Sequence, residues 1–97
     1  MIQSFATVGT EDIFNGLNTK AARKTCPQVL WKIAARKLDQ LDSVTLLAEL
    51  KVPPGNHFEV LKGDRKGQSS IRINDQYRIC FTWTPIGPDQ VVIVDYH

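Results

Sequence analysis

Asp95, Tyr96 and His97 follow one another in the sequence, and a carboxylate, a phenol and an imidazole can between them take, hold and give a proton. Groups of this kind suit a substrate that carries its own nucleophile. RNA is such a substrate: its 2′-hydroxyl attacks the neighbouring phosphorus once a base removes the proton. An acid then serves the departing 5′-oxygen, while cations hold the phosphate. On an ideal strand Asp95 and His97 share one face and Tyr96 points to the other, unless the end of the strand twists. A frayed polar tail is the competing reading of the same three residues.

Other chemistries find less support. The two histidines, His57 and His97, are far apart and have no ligand-like carboxylate spacing, so neither a metal site nor any other cofactor is expected. Gly63 to Gly67 is too short for a phosphate loop, and no nucleophilic Ser or Cys triad leaves a signature. Cys26 and Cys80 belong to no Cys-x-x-Cys or Cys/His pattern and read as two free, packed thiols in a reducing compartment. No run approaches the ~18 apolar residues of a membrane helix. Met1 to Thr10 lacks the basic start and apolar stretch of a signal peptide. A cytoplasmic protein without membrane contact is expected.

The net charge is only +2, but its distribution is uneven. Between Ile13 and Leu38 stand six cations (Lys20, Arg23, Lys24, Lys32, Arg36 and Lys37) and no acid. A second group, Lys51, Lys62, Arg65, Lys66, Arg72 and Arg78, shares its stretch with Glu59, Asp64 and Asp75. Such blocks suit nucleic acid, an acidic protein partner or plain solvent.

The elements that must carry these residues follow from periodicity. Ile2 to Phe5 reads as a short strand. Thr10 reads as an N-cap before Glu11, Asp12 and the apolar Ile13, Phe14 and Leu17. Asn18 to Cys26 is basic and aperiodic, hence a loop. Pro27 fits the first position of a long helix whose Val29, Leu30, Ile33, Ala34, Leu38 and Leu41 make one apolar face. A shorter helical piece covers Thr45 to Leu50 and stops before Pro53-Pro54-Gly55.

Beyond it the period changes to two. Strands are expected over His57 to Lys62, Ser69 to Ile73, Tyr77 to Thr84 and Val91 to Tyr96, with turns at Gly63–Gly67, Asn74–Gln76 and Pro85–Asp89. Residues 1–97 therefore read as a single α+β domain, N-terminal helices packed on one face of a small, mostly antiparallel sheet. In the strand from Tyr77, the residues Tyr77, Ile79, Phe81 and Trp83 point to that core. Arg78 then projects from the middle of the uncovered face, and Arg72, between Ile71 and Ile73, joins it there.

Four stretches carry a resemblance. They are Pro53-Pro54-Gly55-Asn56, the run from Leu61 to Gly67, the run from Ser70 to Phe81, and the closing Val94-Asp95-Tyr96-His97. Together they resemble the HigB toxins, the "killer protein" branch of the RelE/ParE superfamily of bacterial toxin–antitoxin systems. The opening Met1 to Phe5 and the helix through Ala35-Arg36-Lys37-Leu38 are similar too.

The resemblance implies a RelE-like fold and a toxin that cleaves mRNA in the ribosomal decoding site without a metal, inhibiting translation. It implies a HigA-type helix-turn-helix antitoxin as partner, through which alone DNA is contacted. It ties activity to Asp95, Tyr96, His97 and Arg78, and makes Lys62 a further contact; Arg65, Lys66 and Arg72, which surround the same uncovered sheet face in this reading, are expected to join it on phosphate. Some members carry an active-site histidine where this sequence has Glu59. His57 lies two residues away on the same side of an ideal strand, so His57 and Glu59 are both candidates.

Two readings compete with the nuclease. One is a ParE-like toxin of the same fold that acts on gyrase through protein contacts. The other is a nucleic-acid- or protein-binding module without catalysis.

Overall fold

In the computed structural model, which describes residues 1–96, the first helix opens one turn earlier than its sequence suggests. Helix α1 spans Val8–Phe14 and is capped by Thr7, whose hydroxyl accepts from the Thr10 amide. Thr10 is not the cap. It is fully buried, and its hydroxyl accepts from the Ile93 amide at 3.1 Å, tying the helix to the sheet. The pair of threonines three apart explains the misplaced start: both can cap, and tertiary burial chooses between them.

The basic stretch expected to be a loop is instead a second helix, α2, Lys20–Thr25. Thr19 caps it by accepting from the Ala22 amide, while donating to the Asp12 carboxylate at 2.6 Å. Arg23 and Lys24 stand in its last turn, where cations favour the helix dipole. Only Ala22 is buried, so no apolar period marks the helix. It packs tightly on α1, because a Cβ on Gly9 would meet the Ala21 carbonyl and the Thr25 hydroxyl.

Pro27 is extended and precedes a 3₁₀ turn at Gln28–Leu30, so the long helix α3 proper runs Trp31–Ser43. Val29 falls outside the helical face and is 83 % exposed, and Ile33 is at its rim. Ala34, Leu38 and Leu41 form the buried stripe, and burying each leucine contributes roughly 1.5–3 kcal/mol. Two 3₁₀ turns follow, Leu47–Lys51 and Pro54–Asn56. Among the described residues, no helix is long and apolar enough to cross a membrane.

Four antiparallel strands form the sheet in sequence order: β1 Glu59–Val60, β2 Ser69–Arg72, β3 Tyr77–Thr84 and β4 Gly87–Asp95. Their core face carries Ile71, Ile79, Phe81, Val91 and Ile93 against Ile13, Ala22, Ala34, Leu38 and Leu41. Tyr77 and Trp83 pack at its margin, as their alternation requires. The expected N-terminal strand is only an extended segment along β4, with one parallel bridge between Phe5 and Val91. The β3–β4 connection is a two-residue turn at Pro85-Ile86, so β4 starts at Gly87 rather than Val91. Gly87 has φ of 136°, and a Cβ there would strike the Met1 carbonyl.

Strand β1 is much shorter than the sequence suggests. His57 holds a left-handed backbone, φ 43° and ψ 52°, at the end of the Pro54–Asn56 turn. That conformation cannot continue a strand. His57 and Glu59 therefore do not stand as alternate residues of one pleat.

Candidate functional site

Strands β2 and β3 align Ser70 with Cys80 and Arg72 with Arg78. Opposed residues of an antiparallel pair share a face, and this one faces away from the helices. It is not bare. Ser70 and Cys80 are fully buried, Leu61 is buried, and Arg78 is 8 % exposed, so Arg78 lies in the floor of a recess and does not project into solvent. The covering comes from the segment between Val52 and Gln68, which short 3₁₀ turns fold back over the sheet.

A buried guanidinium must be hydrogen-bonded. Arg78 donates from Nε to the Ser70 hydroxyl at 2.8 Å and from Nη2 to the His57 carbonyl. Both acceptors are neutral oxygens, so neither cancels the charge. The Tyr96 ring lies with its centroid 5.7 Å from the Arg78 Cζ, within reach of a cation–π contact. Arg72, directly opposite, is half-buried and ion-paired with Asp75 in the following turn.

Glu59 aligns with Ser70 across β1–β2 and so belongs to the same face. Cys80 registers its neighbours electrically. Burial pushes its thiol up, the Arg65 and Arg78 guanidiniums pull it down, and the Glu59 carboxylate adds a smaller upward push, leaving it raised. All three charged groups thus lie near enough to bear on the charge of this buried thiol. Arg65 is further held by Gln68, Nη1 to Oε1 at 3.1 Å.

The fold gathers Arg78, Arg72, Glu59, Arg65 and Tyr96, with His57 joining through its backbone carbonyl. Tyr96 is on Arg78's side, because Arg78 pairs with Val94 and alternation returns two residues later, which puts it on the face opposite Asp95 as an ideal strand requires. Asp95 pairs with Tyr77 and leans the other way, where its carboxylate accepts from Gln76 Nε2 at 3.0 Å. Lys62 and Lys66 flank the 3₁₀ turn Gly63–Arg65 and are exposed. His97 lies outside the described residues. Among the described residues, no three His, Cys, Asp or Glu side chains group as metal ligands. A shallow hollow lined by Met1, Val44, Trp83 and Ile86 sits at the opposite end of β3 and holds no titratable side chain.

Sequence reasoning passed over Ser70, although its alternation with Arg72 puts both on one face. The His57 carbonyl carried no sequence signal, since backbone atoms are the same in every residue.

A family model described as a RelE-like toxin of the type II toxin–antitoxin system HigB matches residues 4–97. Toxin HigB-1 of Vibrio cholerae is 52 % identical over 48 residues, 50 % of this chain and 50 % of that one. An "Uncharacterized protein" of Haemophilus influenzae is 39 % identical over 57 residues, 59 % of this chain and 56 % of that one. The match spans about half the length of these curated relatives. With helices on one face of a four-stranded antiparallel sheet, the α+β architecture is compatible with a RelE-like fold. The chain belongs to the family of HigB-like, RelE-like toxins of type II toxin–antitoxin systems.

Proposed function

We propose that this chain is a ribosome-dependent mRNA endonuclease whose activity is held in check by a HigA-type helix-turn-helix antitoxin. The observation that carries the reading is the Arg78 recess: an undischarged guanidinium, fixed by Ser70 and the His57 carbonyl, opposite a second arginine and beside Tyr96. Fixed cations aimed at a phosphate stabilise the charge that grows as its bonds exchange.

In the reaction a base takes the 2′-hydroxyl proton, O2′ bonds to phosphorus, and the bond from phosphorus to O5′ breaks. The departing O5′ receives a proton from the acid, leaving a cyclic phosphate and a free 5′-hydroxyl. Arg78 holds the phosphate, Arg72 and Arg65 add positive potential, and Lys62 and Lys66 steer the backbone from the rim. Base and acid are drawn from Tyr96, His97, Asp95 and Glu59. The role of His57 is its carbonyl, which holds Arg78. Membership of a toxin–antitoxin family supports the antitoxin as partner, with DNA reached only through it.

So few acid–base groups depend on a substrate already aligned for in-line attack, which a ribosome provides. The test is to incubate purified protein with translating ribosomes and, separately, with free RNA, and to map new 5′ ends. Cuts confined to ribosome-bound mRNA are expected. Intact mRNA in both arms, with gyrase inhibited instead, would make the chain a toxin of the gyrase-directed kind.

A further inference from the structure

Asn56 is fully buried between α3 and the strap that runs from Val52 to Phe58, and all of its side-chain polar atoms are engaged. Its Nδ2 donates to Gln40 Oε1 at 3.0 Å, to the Leu50 carbonyl at 3.0 Å and to the Val52 carbonyl at 3.3 Å. Its Oδ1 accepts from the Lys37 ammonium. Two carbonyls on one side demand a donor and an ammonium on the other demands an acceptor, so only an amide fits both. An aspartate would turn a carboxylate oxygen towards the Leu50 and Val52 carbonyls.

The next residue is His57, whose left-handed backbone a non-glycine residue keeps only where its surroundings fix it. Its amide donates to the Pro54 carbonyl at 3.0 Å and its own carbonyl accepts from Arg78 Nη2. A continuous path thus runs from Lys37 and Gln40 on α3, through the Asn56 amide, to the carbonyl that orients the guanidinium.

We propose that Asn56 is a positioning residue for Arg78: anchored by Lys37 and Gln40, it holds the His57 carbonyl where it fixes the guanidinium for phosphate. The inference rests on Arg78 being the phosphate-holding group. It gives Lys37, half-buried among the cations of α3, a task that needs no contact with RNA. Misplacing an orienting acceptor lowers the rate of the bound complex more than it lowers affinity, because phosphate attraction tolerates a displacement that in-line geometry does not.

The test compares wild type with Asn56→Asp, Lys37→Met and Lys37→Arg by two readouts. The first is mRNA cleavage, separated into the rate at saturating ribosomes and ribosome affinity. Asn56→Asp should lower the rate roughly 100-fold and Lys37→Met roughly 10-fold, with affinity within about 3-fold, while Lys37→Arg keeps the donor and restores the rate. The second is ¹⁵N NMR of the Arg78 side chain in the free protein. The wild-type Nε and Nη signals should be separate and slow to exchange, and should average in Asn56→Asp and Lys37→Met. A residue that merely stabilises the fold would lower melting while leaving those signals and the rate of folded protein unchanged, and that result overturns the proposal. Should Asn56→Asp fail to fold, Lys37→Met, altered at a half-buried position that leaves Asn56 in place, decides by the same two readouts. If wild type cuts no mRNA, the nuclease reading falls, whereas unchanged Arg78 signals in folded variants defeat the positioning role on their own.

Discussion

Arg72 and Arg78 stand directly opposite one another across β2 and β3, on the same face of the sheet. Like charges in that relation repel, by about 0.2–1 kcal/mol where solvent screens them. Asp75 offsets Arg72 from an exposed turn, and such pairs contribute little. An anion between the two guanidiniums turns the repulsion into a shared attraction.

Arg72→Ala should therefore leave stability unchanged or raise it by up to about 1 kcal/mol, since the repulsion goes with the side chain. Ribosome affinity should fall, and its salt dependence should become shallower by about one phosphate contact. Urea melts and binding across a salt series check both. Lost stability with an unchanged salt slope would make Arg72 a structural residue.

Arg78→Lys retains the charge and loses the fork. One ammonium cannot reproduce the planar guanidinium that reaches Ser70 and the His57 carbonyl and still has N–H groups left for a phosphate. Cleavage should fall by roughly 100-fold, in the range seen when a fixed donor to a growing charge is removed. Single-turnover rates on stalled ribosomes measure it, and a full rate in this variant would remove Arg78 from the site.

Thr10→Val should destabilise the fold by about 1–3 kcal/mol, because it strands the buried Ile93 amide without an acceptor while leaving the volume nearly unchanged. Thr7→Ala, which removes the helix cap, should cost about 1 kcal/mol. A larger loss for Thr7→Ala than for Thr10→Val would contradict the division between cap and buried anchor.

Burial pushes the Cys26 thiol from 9.0 to about 11. The unfolded chain then releases this proton at lower pH than the folded one, so the contribution is complete below pH 9 and is lost as pH rises towards 11. In that window stability should decline by about 1.4 kcal/mol per pH unit on this account alone. Comparing alkaline melts of wild type and Cys26→Ala isolates it: the difference between them should narrow above pH 9.

Much of the site was legible because strand alternation is a local rule. Ile79 and Phe81 inward force Arg78 outward, and Ile71 and Ile73 do the same for Arg72. What alternation cannot show is whether an outward face is covered. The recess depends on Asn56 finding partners 16 and 19 residues earlier in the chain, and no local pattern encodes that contact. Helix α2 was hidden for a related reason: it buries one alanine and rests on Thr19 and Gly9 instead of an apolar stripe. His57 reaches Arg78 through its backbone carbonyl, an atom that carries no sequence signal.

The central claim is that the Tyr96 end of β4 and the Arg78 recess form one site that breaks RNA. Mapping of mRNA 5′ ends on translating ribosomes tests it most directly, with wild type, Tyr96→Phe and His97→Ala compared at equal folded concentration. Tyr96→Phe keeps the ring near Arg78 and removes only the hydroxyl. The account predicts cuts by wild type, loss of roughly 100-fold or more in both variants, and unchanged melting and antitoxin affinity. Cleavage at the wild-type rate in both variants would contradict it.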